Sequence, residues 1–364
     1  MNWSIKLGRI AGIPVQMHLT FLLLLGWVGL SHWQHHGTSQ AVVTGVAFIL
    51  ALFGCVLLHE LGHALMARKF GIKTRDITLL PIGGVARLEK MPDDPKQELW
   101  VALAGPAVNV VIALVLYVWL QLAGGWQPVE QLSVSSGSFA ERLMLVNVSL
   151  VLFNLLPAFP MDGGRVLRAL LAMKMDYARA TQIAAGIGQM MAFGLGFLGL
   201  FGNPFLLFIA FFVWIGAAQE ASGVQVKSAL SGIAVERAMQ TNFKVLSSAD
   251  TLVRVTELLL EGAQQDFPVV WDGEVIGVLT RADLMLALTQ RGLETRVADV
   301  MRRDFRTANA DEMLEPAFAR LGQEQCHTMP VLRDGRLVGL LTLENVGEWV
   351  MIQSALNGRA KVQA

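Results

Sequence analysis

In the stretch Leu57-Leu58-His59-Glu60-Leu61-Gly62-His63, two imidazoles stand four residues apart with a carboxylate beside the first. On an α-helix that spacing projects both rings from one face, about a turn apart. Two ring nitrogens so placed can hold one zinc ion, and Glu60 on the flank can reach a water bound to it. The motif is short, and its setting is what makes it informative. The run from about residue 42 to 69 is otherwise apolar, and an ionisable group in hydrocarbon costs roughly 2.5–3.5 kcal/mol on insertion scales. A metal would compensate three such groups at once. The alternative is a pair of inward histidines bonded to neighbouring helices.

A catalytic zinc takes three protein ligands and a water. The third should be polar, at membrane depth, and on another segment. Asn154-Leu155-Leu156-Pro157-Ala158-Phe159-Pro160-Met161-Asp162-Gly163-Gly164 offers one. The prolines end a helix and the paired glycines permit tight backbone, so Asp162 is presented from irregular chain. Asp162 is expected as the third ligand, with helix capping as its other role. Asn154 is expected either to position a bound amide or oxyanion or to bond between helices. Cys55, one turn before His59, reads as packing, and His18 as an interfacial residue or a group near the site.

These residues need membrane helices to position them. The chain has 364 residues, of which 54% are hydrophobic and 16% charged, against about 25% charged in soluble domains. Formal net charge is +0, so nothing suggests a nucleic-acid partner. The two cysteines give no disulfide framework, and the N-terminus does not read as a cleaved signal. Six apolar runs predict six transmembrane helices, at about 17–33, 40–68, 99–122, 139–156, 178–201 and 205–218. Lys and Arg fill the segment before the first span and the loops after the second and fourth, and are lacking in 34–39, 123–138 and 202–204. Both termini are therefore expected in the cytoplasm of a multi-pass cell-membrane protein. Residues 5–8 and 14–17 could pair as a hairpin at the membrane surface. Short apolar pieces also flank Pro81-Ile82-Gly83-Gly84. Paired glycines let another backbone approach, so Gly83 and Gly84 are expected to receive an extended segment by strand addition, or else to form an ordinary surface hairpin.

From about residue 233 the composition becomes that of a soluble α/β domain. Val235-Glu236-Arg237-Ala238-Met239 returns as Val297-Ala298-Asp299-Val300-Met301. Phe267-Pro268-Val269-Val270 returns as Met329-Pro330-Val331-Leu332, and Gly277-Val278-Leu279-Thr280 as Gly339-Leu340-Leu341-Thr342. The offset is 62 positions each time, which marks an internal repeat. The division expected is 1–222 for the six spans, 223–232 as linker, 233–291 and 295–353 for the repeats, and 354–364 as tail.

The pairing of His59-Glu60-Leu61-Gly62-His63 with Asn154-Leu155-Leu156-Pro157 and Asp162-Gly163 resembles the site-2 protease family of intramembrane zinc metalloproteases. The repeat resembles a tandem pair of cystathionine-β-synthase (CBS) domains, and one branch of the family joins such a pair to six spans. The fold class implied is a multi-pass α-helical membrane domain plus a soluble α/β CBS pair. The resemblance implies zinc held by His59, His63 and Asp162, Glu60 as general base, and cleavage of a single-pass or multi-pass membrane-protein substrate within the lipid bilayer. The loop at 123–138 is too short for the PDZ domain that many relatives carry between spans. In CBS domains a Gly-x-x-Thr-x-x-Asp pattern contacts adenosine nucleotides. Gly277, Thr280 and Asp283 match it in full, while Asn345 replaces the aspartate in the second repeat. At most one strong ATP or AMP site is expected, at Thr280 and Asp283, or else a dimerisation module without ligand. The rival reading of the whole chain is a transporter or channel regulated by the CBS pair, which leaves the His-Glu-His spacing unexplained.

Overall fold

In the computed structural model, the residues described are 3–92, 94–123, 137–262, 264–322 and 326–362. The loop expected at 123–138 falls almost wholly outside them. The chain divides into two compact units, Met1–Ser222 and Gly223–Ala364.

The first unit opens with β1 (Ser4–Ile10) and β2 (Ile13–His18), followed by α1 (Thr20–His36) and α2 (Ser39–Lys69). Next come β3 (Thr74–Leu80) and β4 (Gly83–Leu88), then α3 (Pro95–Leu122), α4 (Phe139–Asn154), α5 (Asp162–Ala172), α6 (Tyr177–Phe201) and α7 (Phe205–Leu230). The starts of these helices are written locally. Thr38 caps α2 by accepting from the Ala41 amide. Asp94 caps α3 just before Pro95, whose missing N–H costs nothing at a first helical position. Ser138 and Glu141 form a reciprocal capping box on α4.

Among the described residues, four helices are long and apolar enough to cross a membrane: α2, α3, α6 and α7. The other two expected spans are the 17-residue α1 and the 16-residue α4. At about 1.5 Å per residue each rises roughly 25 Å, short of a hydrocarbon core of about 30 Å. The two predicted hairpins form, and they are parts of one four-stranded sheet ordered β1-β2-β3-β4. A parallel pairing joins them, Val15 opposite Ile77 and Met17 opposite Leu79. Ile13, Leu61, Ala64 and Ile77 bury together and seat the sheet on α2 beside the histidines.

The second unit repeats one plan twice. β5 (Leu246–Ser247), α8 (Leu252–Glu261), β6 (Phe267–Trp271), β7 (Glu274–Leu279) and α9 (Arg281–Arg291) are followed by β8 (Ala308–Asn309), α10 (Leu314–Leu321), β9 (Thr328–Arg333), β10 (Arg336–Thr342) and α11 (Leu343–Val362). Each set makes a three-stranded sheet, β5-β6-β7 and β10-β9-β8. The repeats exchange their leading segments. Gln240 pairs with Leu340 and Arg302 pairs with Val278, both through reciprocal backbone bonds. The Met239 sulfur lies where a Cβ on Gly339 would stand, and Met301 does the same at Gly277. The segment read as a linker at 223–232 is helical as far as Leu230, and Leu230 packs in the core of the second repeat. The expected tail continues α11 to Val362.

Candidate metal centre

His59 and His63 project from the buried face of α2 towards α3. The two helices cross where side chains are smallest. A Cβ on Gly62 would lie 2.7 Å from the Ala104 carbonyl oxygen, and one on Gly105 would lie 2.2 Å from His63 Nε2 and 2.7 Å from His59 Nε2. Glycine at 105 leaves room for both rings. The third group arrives from the loop between α4 and α5, which folds back tightly over the start of α5. A Cβ on Gly163 would stand 2.2 Å from the Leu156 carbonyl oxygen, and one on Gly164 2.6 Å from the Phe159 amide nitrogen. Asp162 is the first residue of α5, with Met161 at the capping position.

His59 Nε2 and His63 Nε2 lie 3.1 Å apart, and Asp162 Oδ2 lies 3.2 and 3.1 Å from them. All three residues are buried. Among the described residues this is the cluster of three His, Cys, Asp or Glu ligand atoms that could hold an ion. Tetrahedral ligands about 2.0–2.1 Å from zinc stand roughly 3.3 Å from one another, close to the spacing found.

The protonation of the rings follows from what lies behind them. His63 Nδ1 is 2.7 Å from the Val101 carbonyl oxygen, which can only accept, so Nδ1 carries a proton and in the neutral ring Nε2 is the acceptor. For His59 the polarity is set further away. Asn147 Nδ2 donates to the Leu143 carbonyl at 2.8 Å, which turns its Oδ1 towards Asn109. Asn109 Nδ2 donates to that oxygen at 2.8 Å, and Asn109 Oδ1 faces His59 Nδ1 at 2.6 Å. His59 therefore also carries its proton on Nδ1. With both rings neutral, two Nε2 lone pairs and a carboxylate oxygen converge on one point, an arrangement that a cation relieves. Asn109 and Asn147 are fully buried; the sequence reading missed both, although a polar amide inside an apolar helix was the available signal.

Glu60 sits on the flank of the same helix. Its Oε2 accepts from the Ala86 amide of β4 at 2.9 Å. Gly84 lies against it, since a Cβ there would come 2.7 Å from Glu60 Cγ. The sheet thus reaches the carboxylate through β4, whose other edge has no strand partner among the described residues.

The sequence profile of peptidase family M50 matches residues 47–142 and 127–195, and that of the CBS domain matches 235–290 and 297–351. The zinc metalloprotease MJ0392 of Methanocaldococcus jannaschii is 37% identical over 281 residues, spanning 77% of this chain and 78% of the relative. The chain belongs to peptidase family M50, the site-2 proteases. Another relative, sll0528 of Synechocystis sp., bears a provisional zinc metalloprotease name and is 31% identical over 94% of both chains. The solved site-2 protease of Methanocaldococcus jannaschii is 39% identical, with a TM-score of 0.45, and covers 60% of this chain and 95% of that one. As an M50 member with a tandem CBS pair, the chain is a metalloendopeptidase. The family is one of zinc enzymes, and the donor set of His59, His63 and Asp162 fits zinc. Its apolar helices fit residence in a membrane.

The other predicted residues fall as follows. Asn154 ends α4, and its amide donates to the Leu150 carbonyl one turn back. His18 bonds to Thr20 Oγ1 at 2.7 Å, outside the cluster. Cys55 is buried and free. In the second unit, a cavity of about 560 Å³ lies between the repeats, lined from both by residues including Gln240, Asp266, Thr280, Arg302, Thr342 and Asn345. Thr280 caps α9. The Asp283 carboxylate is not in the lining: Arg302 holds it from Nε at 2.5 Å and Nη2 at 3.0 Å, and Thr280 Oγ1 donates to it at 2.6 Å. Burial opposes the charge on Asp283, but these bonds outweigh it and hold the carboxyl below the usual carboxylate range.

Proposed function

We propose that this protein hydrolyses a peptide bond within or beside a transmembrane segment of a membrane-protein substrate, in regulated intramembrane proteolysis. The observation that carries the reading is the convergence of two imidazole Nε2 atoms and a carboxylate, 3.1–3.2 Å apart and buried between apolar helices. His59, His63 and Asp162 hold the zinc. Bound there, zinc supplies a Lewis acid and acidifies water. Glu60 takes the proton of the attacking water and delivers it to the leaving amine. The Ala86 amide steadies the Glu60 carboxylate beside the site. A substrate helix has its amides internally bonded and must unwind before a carbonyl can be attacked. The open edge of β4, entered at Gly83 and Gly84, receives the unwound strand, and the Asn154 amide helps to position it.

The same reading has six membrane spans, counting α1 and α4, with both termini in the cytoplasm. It has AMP or ATP bound at the second unit near Thr280 and Asp283, and a homodimer formed through the CBS pair. Glu60→Gln tests the chemistry: zinc stays at one per chain while cleavage stops. Comparing membrane fractions of wild type and Glu60→Gln by proteomics should reveal a retained transmembrane substrate. Cleavage at close to the wild-type rate in Glu60→Gln removes the base assignment. Calorimetric titration with AMP and ATP tests the second unit, and an absence of both heat and thermal shift leaves it as a dimerisation module.

A further inference from the structure

A stripe along α3 touches both ligand-bearing helices, α2 and α5. Its members, Glu98, Val101, Gly105 and Asn109, recur at helical spacing on one buried face. Val101 orients His63, Asn109 orients His59, and Gly105 makes room for both rings. Glu98 begins the stripe, and its partner is Arg168 on α5. Arg168 Nε and Nη2 donate to Glu98 Oε1 at 2.8 and 2.5 Å, and both side chains are 1% exposed. Arg168 lies six residues after Asp162, about 9 Å along the helix. Its guanidinium also faces the Phe159 ring at 5.0 Å, and Phe159 lies three residues before Asp162. One side chain therefore ties the loop before Asp162 to the helix that begins with it. Its remaining arm, Nη1, donates at 2.5 Å to Glu220 Oε1 on α7, whose side chain is 31% exposed.

We infer that Arg168 is a positioning residue for Asp162, setting α5 on the α3 stripe that orients both histidines, and that Glu220 trims the grip. A network of this size could serve stability alone. The geometry favours the more specific role, because a fork that binds two carboxylates and stacks on an aromatic ring defines an orientation that a flexible ammonium does not. Groups that orient metal ligands typically change metal affinity about 10–100-fold when altered. The inference rests on Asp162 as a ligand, and its test separates the two.

The full-length chain in detergent micelles is titrated with zinc against a chromophoric chelator, and its melting temperature is read with and without zinc. Asp162→Asn should weaken zinc binding strongly; if it does not, the ligand assignment fails. Arg168→Lys should weaken zinc at least about tenfold and shrink the zinc-dependent rise in melting temperature. Glu220→Gln, which keeps an acceptor at a half-exposed position, should weaken zinc about threefold. A purely structural network instead lowers the melting temperature equally with and without zinc, and leaves the zinc competition as in wild type. That pattern in Arg168→Lys, alongside weakened binding in Asp162→Asn, overturns the inference. Should Arg168→Lys fail to fold, wild-type zinc affinity in Glu220→Gln overturns it equally.

Discussion

Asp162 and Asp283 are both carboxylates in the first turn of a short helix, and they are held in opposite ways. Asp283 faces a guanidinium that takes both of its oxygens. Asp162 faces two imidazoles whose Nδ1 protons are committed elsewhere, to the Val101 carbonyl and to Asn109. The first charge is met by the protein's own side chains. The second is presented with two lone pairs to a point between them. A motif cannot tell these cases apart, since each aspartate is followed or preceded by plausible partners in sequence. What separates them is whether the neighbours bring protons.

The sharpest way to break the contrast is to disturb the polarity of the metal side. Glu60→Gln should lower cleavage by about 10²–10⁴-fold, the usual worth of a general base, with zinc content unchanged by elemental analysis. Asn109→Leu removes the acceptor behind His59 and frees its tautomer, so zinc affinity should drop about 10–100-fold in chelator competition. Asn147→Leu acts one step further out and should have a smaller effect of the same sign. On the other side, Asp283→Asn should cost the second unit no more than about 1 kcal/mol, as expected of a partly exposed ion pair, read as a small fall in melting temperature. The sign of its pH dependence is fixed. The folded carboxyl sits below its unfolded value near 3.8. Its contribution is therefore complete above about pH 4 and fades as the pH falls through the folded value. Asp283→Asn should flatten that acid limb; an unaltered limb would show that the Arg302 pair contributes nothing.

Much of this arrangement can be read from the chain, and the gaps have physical causes. His59 and His63 are legible because a four-residue spacing fixes a shared helix face. Asp162 is legible because prolines and glycines mark irregular backbone at depth. Asn109, Asn147 and Arg168 escape because their meaning lies in partners 38 to 70 residues away, and no local pattern encodes such a meeting. The two hairpins of the first unit are visible as short apolar pieces, whereas the parallel pairing of Val15 with Ile77 is a long-range contact. The repeat is plain from its 62-residue offset. Arg302 is hidden by the exchange of segments, which sets it beside Asp283 of the preceding repeat.

That exchange makes each half of the C-terminal unit a lodger in the other. Gln240 completes the hairpin that ends near Thr342, and Arg302 completes the one that ends near Thr280. Cutting the polypeptide between residues 291 and 295 would strand both hairpins without their borrowed strand, so neither fragment should fold by itself, while co-expressed fragments could reassemble. Any molecule seated in the cleft between the repeats would bridge two interlocked halves and resist their separation from both sides at once.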